Sequence, residues 1–146
     1  MEQLRVGLIG YGLAGRVFHA PLVSSTDGMR LVAIATGAPE RQAQARADHP
    51  DAAIHAGADE LLRDALDLVV VATPNLEHAR LGVAALEAGA GVVIDKPIAH
   101  SSAAAAALLD AAARTGKMLT VFHNRRWDAD FLTVRRIVAQ DLVGPV

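Results

Sequence analysis

The run Val6-Gly7-Leu8-Ile9-Gly10-Tyr11-Gly12-Leu13-Ala14-Gly15 restricts this chain more than any other stretch. A short apolar segment stops on a glycine and passes through G-x-G-x-x-G into a helix-compatible run. A strand that turns so sharply into a helix gathers backbone N–H groups at the helix N-terminus, where an anion is favoured. Gly10 suits the tight turn, Gly12 leaves room for a pyrophosphate against the backbone, and Gly15 lets helix and strand pack closely. The pattern points to a dinucleotide site. The bare motif is weak, since a chain with 12 glycines can produce one by chance. The strand before it and the helix after it supply the context it needs.

The rest of the chain alternates strand and helix signals. Apolar runs predict strands at Leu4–Ile9, Leu31–Thr36, Ala53–His55, Leu68–Ala72, Val92–Asp95 and Leu119–Phe122. Of these, Leu68-Val69-Val70-Val71-Ala72 is a continuous run of the buried parallel type. Helices are predicted at Ala14–Val23 (ending near Pro21), Pro39–Ala47, Asp59–Arg63, His78–Ala88, Ser101–Thr115 and Asp128–Val138. Ser101, Asn75 and Asp128 are candidate N-caps, and Gly116 closes the fifth helix. This order is βαβαβ twice over. It predicts an α/β fold, a doubly wound parallel sheet of the NAD(P)-binding Rossmann kind, with strand order 3-2-1-4-5-6. The ligand is expected at the carboxyl ends of the strands, where strands 1 and 4 diverge.

Residues 1–124 form the expected dinucleotide-binding domain. Residues 125–146 hold a last helix and the start of a crossing to a further domain, since Asp141-Leu142-Val143-Gly144-Pro145-Val146 reads as a turn leading into another strand. At 52% hydrophobic but 3% aromatic residues, the core must be built from Ala, Val, Leu and Ile. No run reaches the roughly 18 apolar residues of a membrane helix, and the N-terminus lacks a signal-like segment. A net charge of −2 gives no reason to expect nucleic acid or a membrane as partner. The absence of cysteine removes thiol chemistry. A cytoplasmic protein is the resulting expectation.

Four loops are expected to meet at the crevice. Gly10, Tyr11, Gly12, Leu13, Ala14 and Gly15 form the first. In the second, Thr36 ends a strand where an NAD site usually carries Asp or Glu, and Arg41 follows five residues later. A neutral strand end with a nearby guanidinium suits a 2′-phosphate, so NADP is favoured over NAD. Arg41 is equally readable as a solvated helix residue, and Arg46 could do the same job. The third loop is Ala72, Thr73, Pro74 and Asn75, with His78 on the helix beyond; T-P-N is also ordinary turn chemistry, and His78 is equally readable as a helix-terminus histidine with a structural hydrogen bond. The fourth is Asp95, Lys96 and Pro97. A lysine directly after a buried strand can hydrogen-bond a substrate hydroxyl and stabilise the oxygen that gains charge as hydride leaves. Lys96 is therefore the candidate catalytic residue, against the plain reading of a surface lysine. The segment Phe122–Asp128, with Asn124, the adjacent Arg125 and Arg126, and Trp127, either lines the far side of the cofactor, faces a second domain, or forms a salt-bridged cap with Asp128. None of the six histidines (His19, His49, His55, His78, His100, His123) pairs at the i, i+4 spacing of a helical metal site, so no metal is expected.

The segments V-G-L-I-G-Y-G-L-A-G-R-V-F-H-A-P-L (Val6–Leu22), V-V-V-A-T-P-N-L-E-H (Val69–His78), V-V-I-D-K-P (Val92–Pro97) and V-F-H-N-R-R-W-D (Val121–Asp128) together resemble the Gfo/Idh/MocA oxidoreductases. The similarity is greatest to the branch that holds NADP-dependent scyllo-inositol dehydrogenase. The resemblance implies a Rossmann domain followed by a larger α/β domain carrying the substrate pocket and much of a homo-oligomer interface. It passes the family's catalytic lysine to Lys96, implies a cis bond before Pro97, and implies a sugar or polyol substrate. Asp95 stands where most of the family has Glu. The family's partner acid/base, typically a histidine of the second domain, is not assigned to any histidine here. Two functions follow as expectations. The first is the cofactor-binding half of an NADP-dependent sugar or polyol dehydrogenase. The second is a non-catalytic NAD(P)-binding module that senses redox state, which would have no need of Lys96. A methyltransferase leaves D-K-P unexplained and wants an acid after strand 2.

Overall fold

A computed structural model of the chain describes residues 3–145. Six strands form one all-parallel sheet: β1 (Leu4–Ile9), β2 (Met29–Ala35), β3 (Ala53–His55), β4 (Leu68–Val71), β5 (Gly91–Asp95) and β6 (Leu119–Phe122). Their order is β3-β2-β1-β4-β5-β6, as expected. All five pairings are parallel, and that of β1 with β2 slips between Val6 and Gly7. The helices are α1 (Ala20–Ser25), α2 (Pro39–Asp48), α3 (Ala58–Leu61), α4 (Asn75–Glu87), α5 (Ser102–Thr115) and α6 (Ala129–Ala139).

The sheet is covered on both faces because its central strands are apolar on both. Along β4, Val69 and Val71 face one core cluster, and Leu68 and Val70 face the other. The first cluster packs Val69, Val71, Val92 and Ile94 against Leu81, Ala85 and Leu86 of α4 and Leu108 and Ala111 of α5. The second packs Val6, Leu8, Ile34 and Val70 against Ala20 and Val23 of α1 and Ala45 of α2. Each fully buried Leu, Ile or Val contributes about 1.5–3 kcal/mol. The small residues of α4 and α5 let those helices lie close to the sheet.

Three local expectations are corrected. The helix expected over Ala14–Val23 is a π-helical turn (Gly15–His19) that runs into α1. Pro21 does not end it but sits at the second position of α1. The change of pitch falls where Pro21 has no N–H to give to the helical ladder. Asn75 does not cap α4: Pro74 occupies the cap, and no side chain bonds the helix end. Asp128 stands at the N-cap of α6 but makes no capping bond; its carboxylate instead accepts from Arg125 at 2.6 Å. Ser101 does cap α5, its Oγ accepting the Ala104 N–H at 3.2 Å, and Gly116 closes that helix at φ 66°.

The C-terminal end differs from the rest. No residue of α6 is buried, and Phe131, Val134 and Val138 are exposed. A turn follows α6, as expected; the strand expected at Val146 lies outside the described residues. No helix of the described residues is long and apolar enough to cross a membrane.

Candidate active and cofactor site

Two cavities open at the carboxyl ends of the strands, on either side of the glycine loop. The smaller, about 430 Å³, is lined by Gly10, Tyr11 and Gly12, by Thr36 and Arg41, and by Ala72, Thr73 and Pro74. The larger, about 840 Å³, is lined by Leu13, Ala14 and His19, by Asp95, Lys96 and Pro97, and by Phe122–Arg126. Fifteen of the expected cofactor residues therefore fall into two groups joined by one loop.

The three glycines differ in what they do. Gly10 has φ 101°, and a methyl there would stand 2.4 Å from the Ala72 carbonyl oxygen. Gly15 is packed tighter still, 2.0 Å from the Gly10 oxygen by the same measure, and lines neither cavity. Both are structural. Gly12 faces open space, its nearest neighbour being Arg41 Nη1 at 3.9 Å from an added methyl. The fold leaves a cradle beside Gly12 that a side chain would fill, with a guanidinium over it. That is the shape and charge a phosphate needs. Arg46, the other candidate cation, lines neither cavity. No acid stands at the end of β2, where Thr36 is buried and its carbonyl accepts from Gln42 Nε2 at 2.9 Å. Thr73 Oγ1 is buried without a hydrogen-bond partner in this cavity's wall.

The side chains of several expected residues make bonds within the protein or lie outside the two cavities. The Tyr11 side chain points away from the cradle; it is 2% exposed, and its hydroxyl donates to Asp48 Oδ2 at 2.9 Å. Burial and that bond raise the phenol to about 12 and hold the Asp48 carboxyl below its usual value. Arg16 joins the same carboxylate at 3.0 Å, so the glycine loop is tied to the end of α2. His78 is buried, with Nδ1 2.8 Å from the Pro97 carbonyl and Nε2 2.8 Å from the Thr73 carbonyl. It staples the third crevice loop to the fourth. Asn75 is exposed and lines neither cavity. Trp127 is 76% exposed and borders a separate groove with Leu22 and Thr120. Arg125 is at the larger cavity, paired with Asp128.

Lys96 stands where its position in the sequence implied, on the rim of the larger cavity immediately after β5. The Asp95 side chain folds back so that Oδ1 accepts the Lys96 backbone N–H at 2.8 Å. The peptide between Lys96 and Pro97 is cis. The ammonium makes no ion pair among the described residues. It is an exposed cation on the rim of the crevice.

Sequence reasoning left His19 of the larger cavity, and Glu77 and Arg80 of the smaller, without a role; Phe122, His123 and Arg126, at and just after the end of β6, line the larger cavity with Asn124 and Arg125. His19 falls within the Val6–Leu22 segment, but its spacing from the glycines matches no metal or acid/base motif that would single it out. Only the packing of its turn against β5 and β6 brings it to the site. Among the described residues, no group of three or more His, Cys, Asp or Glu side chains is placed to hold a metal ion.

Residues 4–123 match the family model of the Gfo/Idh/MocA oxidoreductases, an oxidoreductase family with an NAD-binding Rossmann fold. The chain belongs to this family. It is 42% identical over 146 residues to the uncharacterized oxidoreductase YdgJ of Escherichia coli, covering 99% of this chain and 41% of the relative. It is 37% identical over 141 residues to the NADP(+) scyllo-inositol 2-dehydrogenase IolW of Bacillus subtilis, covering 96% of this chain and 38% of that one. The crystal structure of an NAD-binding protein from Listeria innocua superposes with a TM-score of 0.90 at 33% identity, over 98% of this chain and 42% of that one. The chain thus spans about two fifths of the length of the curated relatives it matches.

Proposed function

We propose that this chain is the cofactor-binding half of an NADP-dependent dehydrogenase acting on a sugar or polyol hydroxyl. One observation carries the reading: a single glycine loop separates a phosphate cradle under Arg41 from a cavity with Lys96 on its rim. When bound, a nicotinamide dinucleotide supplies the hydride acceptor. Arg41 holds the 2′-phosphate, the N–H groups around Gly12 hold the pyrophosphate, and the orphaned Thr73 hydroxyl serves the same ligand. Lys96 hydrogen-bonds the alcohol oxygen and stabilises the negative charge it gains. The likeness to an NADP(+)-dependent scyllo-inositol dehydrogenase supports the choice of cofactor and substrate class. Residues 125–146 lead into a second domain that completes the substrate pocket and supplies the partner acid/base. The assembled protein is a homo-oligomer in this reading.

Parallel titration of the chain with NADPH and NADH, followed by nicotinamide fluorescence, tests the cofactor. NADPH is expected to bind more tightly, and Arg41→Ala to abolish the preference. A lost charge-assisted hydrogen-bond pair costs about 1.5–3 kcal/mol, or roughly tenfold to a hundredfold in NADPH affinity. Equal binding of the two cofactors by the unaltered chain overturns the phosphate assignment. In the complete protein, Lys96→Ala is expected to abolish turnover while leaving cofactor affinity in place. Persistent turnover removes the catalytic role and favours the redox-sensing module.

A further inference from the structure

The His19 ring is 3% exposed and its Nε2 has no hydrogen-bond partner. A buried polar nitrogen is seldom left so, and an orphan beside a reaction site calls for an explanation. The ring is held from two sides. Phe122 packs against it with ring centroids 4.4 Å apart, and β5–β6 pairing sets Phe122 opposite Asp95. The π-helical turn, in which the Ala20 N–H bonds back to the Gly15 oxygen, presents His19 to the larger cavity. Such turns recur at functional sites. What Nε2 faces is Asp95 Oδ2, at 3.9 Å. The other oxygen of that carboxylate already accepts the Lys96 backbone N–H.

We propose that His19 is a positioning residue for Lys96, acting through Asp95: the His19 Nε2–H and the Lys96 N–H address the two oxygens of one carboxylate, and the ring thereby fixes the turn that aims the lysine. This inference rests on the reading of Lys96 as the group that meets the reacting oxygen. A separation of 3.9 Å is too long for a hydrogen bond. At that separation the ring acts on the carboxylate electrostatically: an Nε2–H dipole facing an anionic oxygen in a buried setting favours one orientation of the Asp95 side chain. Burial holds the ring below the ordinary histidine value, against the opposing pull of Asp95, so a neutral ring with a single N–H is the form to be placed. The lone pair of a bare Nε2 would point at a carboxylate oxygen and be repelled. The proton therefore belongs on Nε2. The other charged or titratable groups around this cavity are Lys96, His123, Arg125 and Arg126. None of them is in hydrogen-bond contact with the ring.

Nitrogen-15 spectra of the 146-residue chain test this without turnover, so the result is independent of the Lys96→Ala experiment. The unaltered ring is expected as the Nε2–H tautomer above its titration midpoint. An Nδ1–H tautomer overturns the proposal, because a bare Nε2 cannot donate. His19→Leu is expected to shift the Lys96 amide resonance, and His19→Gln, which keeps an N–H near the Nε2 position, to restore it. An unmoved amide in His19→Leu, or equal displacement in both variants, also overturns the proposal. Should His19→Leu not fold, Asp95→Asn carries the test: the Nε2–H population is expected to fall, and an unchanged population refutes the link.

Discussion

Gly12 and Gly15 lie three residues apart in one motif, yet they answer to different forces. A methyl on Gly15 would meet the Gly10 backbone oxygen at 2.0 Å, and neither atom is the free end of a side chain. Gly15→Ala must move the backbone, with an overpacking cost of about 1–3 kcal/mol or more. A methyl on Gly12 meets nothing closer than 3.9 Å. Gly12→Ala is expected to leave the urea midpoint within the small range of neutral surface changes while weakening NADPH binding, because the methyl fills the cradle. Denaturation and titration of the two variants side by side check this; a Gly12→Ala chain that binds normally would remove the phosphate from that cradle. At this scale the sequence was legible where a residue type has one use. Glycine at a strand-to-helix turn is such a case, Gly10 taking φ 101° there. For Tyr11 and His78, both expected at the cofactor, backbone placement beside a site does not tell where a ring turns. Their rings found Asp48 and two carbonyl groups instead.

Strands were legible wherever an apolar run marked them, whether or not the strand is fully buried: β3 and β6 have no buried residue, and the better-buried β2, expected at Leu31–Thr36, runs instead over Met29–Ala35. The bounds of β1, β3 and β6 match the apolar runs that predicted them, and the ends of β4 and β5 move by one residue. Parallel strands covered on both faces leave nothing but apolar residues to mark them. Helix starts were less legible, because capping is decided by a single rotamer. Ser101 and Asn75 looked alike as cap candidates, but only Ser101 bonds the helix end. The π-helical turn was not legible at all, since apolar spacing over one turn fits either pitch. The contrast between caps yields a prediction for α5, which packs Leu108 and Ala111 into the first core cluster. Ser101→Ala is expected to cost about 0.5–2 kcal/mol and Asn75→Ala almost nothing, since Asn75 caps no helix. Ser101→Asp retains an acceptor and should keep the stability. Equal losses at the two positions in chemical denaturation would contradict the assigned caps.

For the molecule as a whole, three shifted groups set how stability depends on pH. His19 titrates below its ordinary 6.5 when folded, chiefly because it is buried. The unfolded chain binds that proton more readily, so stability is full above about 6.5 and falls as pH drops through the folded value. Asp48 lies below its ordinary 3.8, held there first by the Tyr11 hydroxyl, and adds a second loss at lower pH by the same sign. Tyr11 works in the opposite sense. Its folded value of about 12 exceeds the ordinary 10.0, so the native state keeps a proton that the unfolded chain gives up. Stability therefore declines as pH rises from about 10 towards 12. A plateau between about 6.5 and 10 is expected, with a shoulder on each side. The chain has a single tyrosine, so tyrosinate absorbance reports this one site without ambiguity. In the folded chain it should appear together with alkaline unfolding, well above pH 10, and in urea near pH 10. Asp48→Asn removes both the charge repulsion on a tyrosinate and the anionic acceptor, so it should bring the folded midpoint down. A tyrosinate that forms near pH 10 in the folded chain would mean that the Tyr11–Asp48 tie, and with it the anchoring of the glycine loop to α2, is absent in solution.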